Sequence, residues 1–444
     1  MRRSDEGAGT AYVGLRDHPQ RAVIAAELHA RPFESLSAPL QATHLAMIGG
    51  DPESDRAHVA KLCETYEQVQ PPAGSTHHSA DMGGFRLRWE RHTEFSTYTF
   101  FTGDHVADAN DPFAHPPLNR LPGEWLENIH GELVSGMHLV MESPDAPERK
   151  VADILELFGT ENVAGSSVAD DGALLYTDFR LHADGFGRAL IQVRDLPPRR
   201  TGRLVQRLLE IETYRLMALL AFPLARQTTS ELTRLEGRLQ NITDRMTRRA
   251  GLEDEQALLS ELSQVAGELE RMSALNSFRL GAARAYRQLV EHRIRNLRER
   301  RLKGLQTISE FMERRFTPAM RTCEYVNERQ AALSQRLSRA ADLLRTRVDV
   351  ALEAQNRDLL TSMNKRTELQ LRLQQTVEGL SVVGLSYYST GLLAYALRGV
   401  EAAGVRLNVS LIVGAAVPFI VLGVWTVTRR LRRRLLTSRE REHT

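Results

Sequence analysis

The chain has 444 residues, enough at about 150 residues per domain for two or three structural units. Its 42% hydrophobic and 26% charged residues are those of a folding chain, and 58 Lys+Arg against 56 Asp+Glu give no global charge that would call for nucleic acid. Its two cysteines, Cys63 and Cys323, lie far apart and outside any CxxC pattern, which excludes a disulfide framework and a zinc ribbon.

The N-terminus, MRRSDEGAGTAYVG, has two arginines but no apolar run after them, so it does not read as a secretory signal. Residues 1–16 are expected to be a disordered tail, and the domain that follows is expected to stay in the cytoplasm. AVIAAELHAR suits a short helix ended by Pro32, and ESDRAHVAKLCETYEQV a second helix. Glu27 and His29 could form an acid/base pair, but two residues apart on a helix they do not face each other.

Next comes HHSADMGGFRLRWERHTEFSTYTFF (77–101). FRLRWERH and EFSTYTFF alternate with period 2, as half-buried strands do. Phe85, Leu87 and Trp89 would face one side, and Arg86, Arg88 and Glu90 the other. The stretch before them reads as a loop. There His77, His78 and Asp81 are candidate ligand contacts; metal binding and turn or surface hydrogen bonding are both open. On a strand the adjacent histidines would point to opposite faces and would not ligate together.

ERKVADILELFG (148–159) reads as a helix, and GALLYTDFRLHAD and GRALIQVRDL as strands with turns at Asp171-Gly172 and Asp184-Gly185. Twelve of the fourteen histidines precede residue 183, so any histidine chemistry belongs to this part. There is no GxxxxGK[ST], HExxH or GxSxG pattern, no cofactor is implied, and no enzymatic role is expected. The fold class expected for 17–198 is α/β or α+β.

Asp195-Leu-Pro-Pro-Arg-Arg200 marks a boundary. From 199 to 378 the chain reads as a helical bundle that becomes a stalk. Its segments are 202–222, 233–246, 254–276 and an Arg-rich helical stretch from Phe278 to Phe316. Leu333, Leu337, Leu344, Val348, Leu352, Leu359 and Met363 follow in steps of four or seven, a helix face or coiled-coil seam. Continued from Asn327 to the end of the stalk, that helix would be about 75 Å long at 1.5 Å per residue and would need partners.

Two uncharged runs close the chain, Gly379–Leu397 and Leu407–Thr428, each near the roughly 20 residues that cross a hydrocarbon core. They read as a transmembrane hairpin over 379–428, with a buried soluble hairpin as the alternative. Arg429, Arg430, Arg432, Arg433 and Arg434 follow at once, in a basic tail over 429–444, with Trp425 at the interface. The reading is an anchor on anionic lipid headgroups with both termini cytoplasmic, against a nucleic-acid patch. In the first run Ser381, Gly384, Tyr388, Gly391 and Tyr395 share one face. That face is either a helix-packing seam or the wall of a pore in a homo-oligomer.

ELHARP, HHSADMGGFRLRWERHTEFSTYTFF and VEGLSVVGLSYYSTGLLAYAL resemble the bacterial uncharacterised membrane-anchored proteins, a domain of unknown function, over nearly the whole chain. That resemblance implies an inner-membrane location and no activity. The order of cytoplasmic domain, stalk, two spans and basic tail is also similar to the CorA-type divalent-cation transporters. It implies a homo-oligomeric transporter or channel, with a divalent cation as cargo. The departure is that ALRGVEAAG stands where that group has Gly-Met-Asn, and Arg398 would repel cations. The other expectation is a membrane-tethered sensor or scaffold that transports nothing.

Overall fold

The computed structural model describes residues 18–21, 24–25, 33–103, 111–248, 251–402 and 408–439, with side chains through Arg430. Glu27, His29, Pro32 and Arg406 lie outside the described residues, as do the side chains of Arg432, Arg433 and Arg434. The chain forms two compact units, one of 1–248 with 260–341 and one of 249–259 with 342–444.

The first unit is built on a mixed sheet of nine strands in the order β2-β3-β4-β1-β5-β8-β7-β6-β9. The strands are β1 (Leu40–Ile48), β2 (His77–Asp81), β3 (Arg86–Arg91), β4 (Phe95–Thr102), β5 (Glu132–Glu142), β6 (Ala164–Val168), β7 (Ala173–Thr177), β8 (Gly187–Val193) and β9 (Arg300–Arg301). All pairs between named strands are antiparallel except β5 with β8, which a crossover through a helix and the β6–β7 hairpin makes parallel. The fold class is therefore mixed α/β.

Helices α1 (Pro52–Thr65), α2 (Gly123–Glu127) and α3 (Val151–Phe158) cover one face. Val59, Leu62 and Trp125 pack there on Leu87, Trp89, Tyr98 and Phe100, while Ile154 and Phe158 pack on Val140, Leu174 and Leu190. α1 starts where Asp51 accepts the Ser54 N–H at 3.0 Å. The other face meets α4 (Pro198–Leu219), whose Met217 packs on Ala46 and Phe95. As expected, Phe85, Leu87 and Trp89 are buried and Arg86, Arg88 and Glu90 take the opposite side. β4 differs from the half-buried strand expected: all eight of its residues are buried, because helices cover both of its faces.

α4 begins at Pro198, where a missing N–H costs nothing, and the first unit continues past it. α5 (Ala221–Met246) and α6 (Leu252–Leu297) follow. The Arg-rich stretch is not one helix. It breaks after Leu297, turns at Arg298 (φ 50°), and gives β9, which pairs with Ser166 and Ser167 of β6. Arg298 and Arg300 bind Asp170 and Asp171 of the β6–β7 turn, so these arginines are side-chain partners of a turn. The chain then enters α7 (Ile308–Ala402) through a capping box. Thr307 Oγ1 accepts from Glu310 N at 3.1 Å, and Glu310 accepts from Thr307 N at 2.9 Å.

In the second unit the apolar seam of α7 is buried at Leu344 and Val348 and exposed at Leu352, Leu359 and Met363. Farther on, α7 and α8 (Val409–Arg439) include two stretches long and apolar enough to cross a membrane. Each has a partly shielded stripe in steps of three and four, Val382, Ser386, Ser389, Leu393 and Leu397 on α7 and Val409, Val413, Ala416, Ile420 and Val424 on α8, and Gly384, Thr390, Gly391, Ala394, Thr426 and Thr428 are half-buried beside them. The rest of each surface is largely open.

Candidate functional site

His77, His78 and Asp81 do not lie on a loop. They form β2, an edge strand paired residue by residue with β3, His77 opposite Glu90, His78 opposite Trp89 and Asp81 opposite Arg86. The pleat sends the two imidazoles to opposite faces, so the joint ligand contact expected of them is not assembled. Burial lowers the pKa of His78, and His77 beside it adds to the effect. Asp81 acts locally. Its Oδ1 accepts from Gly83 N at 2.9 Å, and Gly83 at φ 81° closes the β2–β3 turn. Among the described residues no three His, Cys, Asp or Glu side chains are grouped to hold a metal ion.

On α7, Ser381, Tyr388 and Tyr395 are exposed, and a Cβ added at Gly384 or Gly391 would meet nothing within 4 Å. This face lies about 200° around the helix from the shielded Ser386 stripe at 100° per residue, so the two are separate surfaces. At the basic end, the Arg429 guanidinium sits 5.0 Å from the centre of the Trp425 ring, a cation–π contact that orders the first of the tail arginines.

The chemistry-bearing groups that folding brings together lie elsewhere, between α4 and the face of β1, β3 and β4. A narrow cleft opens there, with about 510 Å³ of free space when the solvent at its mouth is included. Sheet–helix seams are ordinarily apolar, but this one carries Arg88, Glu90, Thr97 and Thr99 from the sheet and Gln206, Glu210 and Thr213 from α4. At its centre His44 is fully buried, with Nδ1 2.8 Å from Thr99 Oγ1 and Nε2 3.0 Å from Thr213 Oγ1. Burial pushes its pKa down to about 4, so the ring is neutral at physiological pH. One ring nitrogen must donate and the other accept, so the ring engages both hydroxyls at once. His44 is therefore a hub that orients two hydroxyls.

Around it, Arg88 binds Glu90 at 2.8 Å, and Glu34 is held by Arg86 at 3.2 Å and by Ser79 Oγ at 2.9 Å. Glu210 takes Gln206 Nε2 at 2.9 Å and pairs with Arg293. Gly202 sets the width of the cleft, because a Cβ there would collide with the Glu34 carbonyl. Three carboxylates, each held by an arginine, and the fixed threonine hydroxyls give the walls acceptors of set position. Such walls can hold a small molecule that presents O–H or N–H donors.

This assembly joins residues 34 to 214 and has no local motif. A hint stands in β1, LQATHLAMI, and in α4, EIETYR, where His44, Glu212 and Thr213 interrupt apolar faces. A polar residue on a buried face needs a partner.

The chain matches the family described as "Protein of unknown function (DUF3422)" over residues 16–435. It belongs to that family. Comparison with curated proteins finds no match. One solved chain, described as the "structure of the full-length CmaX protein", is similar at 16% identity over 69% of this chain and 91% of that one. Its TM-score of 0.12 gives no common fold to argue from.

Proposed function

We propose that this chain is a membrane-tethered sensor or scaffold whose mixed α/β unit binds a small polar molecule in the His44 cleft. The observation that carries this reading is the conversion of a sheet–helix seam into a hydrogen-bonding cleft, with its hydroxyls fixed by a neutral histidine. The low basicity of the buried His44 ring supports binding rather than catalysis. The α7 and α8 spans form the anchor in a bacterial inner membrane. The arginines after Trp425 lie against anionic headgroups, with both termini cytoplasmic.

Two experiments test this. Deleting Gly379–Thr444 is expected to move the protein from the membrane to the soluble fraction, and retention in the membrane overturns the anchor. Native mass spectrometry of the detergent-extracted full chain is expected to show a small-molecule adduct that Thr97→Val together with Arg88→Met removes. Identical spectra for the two proteins would end the cleft reading.

A second reading, a CorA-like homo-oligomeric transporter for a divalent cation, draws on the open Gly384, Tyr388, Gly391 and Tyr395 face. In lipid the tyrosine hydroxyls need partners, which further copies of the helix would supply. Symmetric oligomers with ion flux in liposomes, blocked by Gly391→Leu, are the expected result. A monomer without flux removes this reading and leaves the first intact.

A further inference from the structure

A second cleft in the first unit lies where the end of β7 meets α4 and the start of α7. It is an open cleft with about 850 Å³ of free space, solvent at its mouth included, and has Arg180, Arg215, Arg315 and Asn162 at its walls beside the rings of Phe179 and Phe311. The His44 cleft and this one share no lining residue.

Its backbone is constrained. Phe179 sits at φ 53°, a left-handed conformation that a bulky side chain takes only where its surroundings impose it. Here they do so from both sides. Asp178 Oδ1 accepts from Arg180 N at 3.2 Å. The Phe179 ring lies 4.8 Å from the Phe311 ring and 5.1 Å from the Arg215 guanidinium.

The guanidinium is also fixed. Arg215 Nη2 and Nε donate to the two carboxylate oxygens of buried Glu212 at 2.6 and 3.0 Å. A guanidinium has five N–H donors, so three remain after that fork. Arg180 and Arg315 are exposed and have no ion-pair partner among the described residues. Of the nearby acids, Glu212 binds Arg215, while Asp178 Oδ1 accepts from Arg180 N and Asp178 Oδ2 lies buried 3.2 Å from His182 Nε2 without a hydrogen bond. Three guanidinium groups against two carboxylates leave the mouth positive.

We propose that this cleft binds an organic oxyanion, a carboxylate or phosphate monoester on a flat apolar body. The oxyanion lies on Arg215, Arg180 and Arg315, and the body lies against Phe179 and Phe311. Arginine suits both headgroups because its planar fork matches two oxygens at once. The strained Phe179 is what sets the ring beside the guanidinium.

The test is calorimetric titration of the detergent-purified full chain with phenyl phosphate, benzoate, inorganic phosphate and benzyl alcohol. At least one phenyl anion is expected to bind, benzyl alcohol is not, and the anion that binds better identifies the headgroup. Arg315→Gln and Arg180→Gln, each losing a charged contact, are expected to weaken binding about tenfold. Both side chains are exposed and unpaired, so the variants should melt as the parent does. Arg215→Gln would strand buried Glu212 and is not used. No binding of either phenyl anion overturns the proposal, as does binding unchanged in both variants. Inorganic phosphate binding as tightly as phenyl phosphate overturns it too, because the rings would then contribute nothing.

Discussion

Leu337 and Leu359 belong to one apolar repeat on one helix, yet Leu337 is 3% exposed and Leu359 is 56% exposed. The first belongs to the unit that contains the sheet and the second to the unit that contains the apolar spans. The sheet unit covers its own apolar residues: the largest fully buried side chains, Trp89, Tyr98, Phe95 and Phe100, all lie on β3 and β4. The second unit leaves Leu352, Leu359, Met363, Leu380, Tyr388 and Phe419 open. Periodicity therefore shows that a face is apolar, while only the fold shows whether the chain covers that face itself.

The largest effect that would break this contrast is at Asp55. It is 1% exposed and takes Arg91 Nη1 at 2.9 Å and Ser96 Oγ at 2.6 Å. Asp55→Ala is expected to cost about 3–5 kcal/mol in chemical denaturation, since it removes a buried carboxylate that both the half-buried Arg91 guanidinium and buried Ser96 bind. A cost under about 1 kcal/mol would mean that the sheet unit does not depend on its buried polar pairs.

Leu337→Ala is expected to cost about 2–5 kcal/mol. Leu359→Ala should stay within about 0.5 kcal/mol in the same measurement. Equal losses would show that the open face of α7 is covered in the protein as it exists, and that covering would have to come from outside the chain.

Acid provides a third test. Burial holds His44, His58 and His138 down to about 4, against an ordinary value of 6.5. The unfolded chain binds these protons first, so stability is full above pH 6.5 and falls as the pH drops toward 4. The slope is at most about 1.4 kcal/mol per pH unit for each histidine. Melting scans from pH 7.5 to 4.5 should show the loss, and His44→Gln should flatten it. An unchanged slope in that variant would remove His44 from the account. The smallest effect expected is at β2, where His77→Ala should change stability by no more than about 0.5 kcal/mol.

Much of this was legible in the residues. The Phe85, Leu87, Trp89 alternation gives β3 its buried face, the Pro-Pro pair opens α4, and the uncharged runs mark the two apolar spans. Other features were hidden for physical reasons. β2 carries two histidines, a serine and an aspartate, a composition poor in strand formers, and it is a strand because β3 offers it a ladder. β9 is two arginines after a 46-residue helix, paired with residues more than 130 positions earlier. The segment GALLYTDFRLHAD reads as strand throughout, but β7 stops at Thr177 because Phe179 takes a left-handed conformation. Both clefts gather residues from distant elements, and no spacing rule reports such meetings.

The position of β2 has a consequence for solubility. In the described sheet it is the outermost strand, with a row of backbone groups that no further strand satisfies. Such a row is a template on which another extended chain can dock. Five residues give it a short reach, imidazoles on both faces make it a poor apolar surface, and the Asp81 turn ends it at once. The histidine pair that looks like a reaction centre thus helps to blunt the edge of the sheet against unwanted pairing.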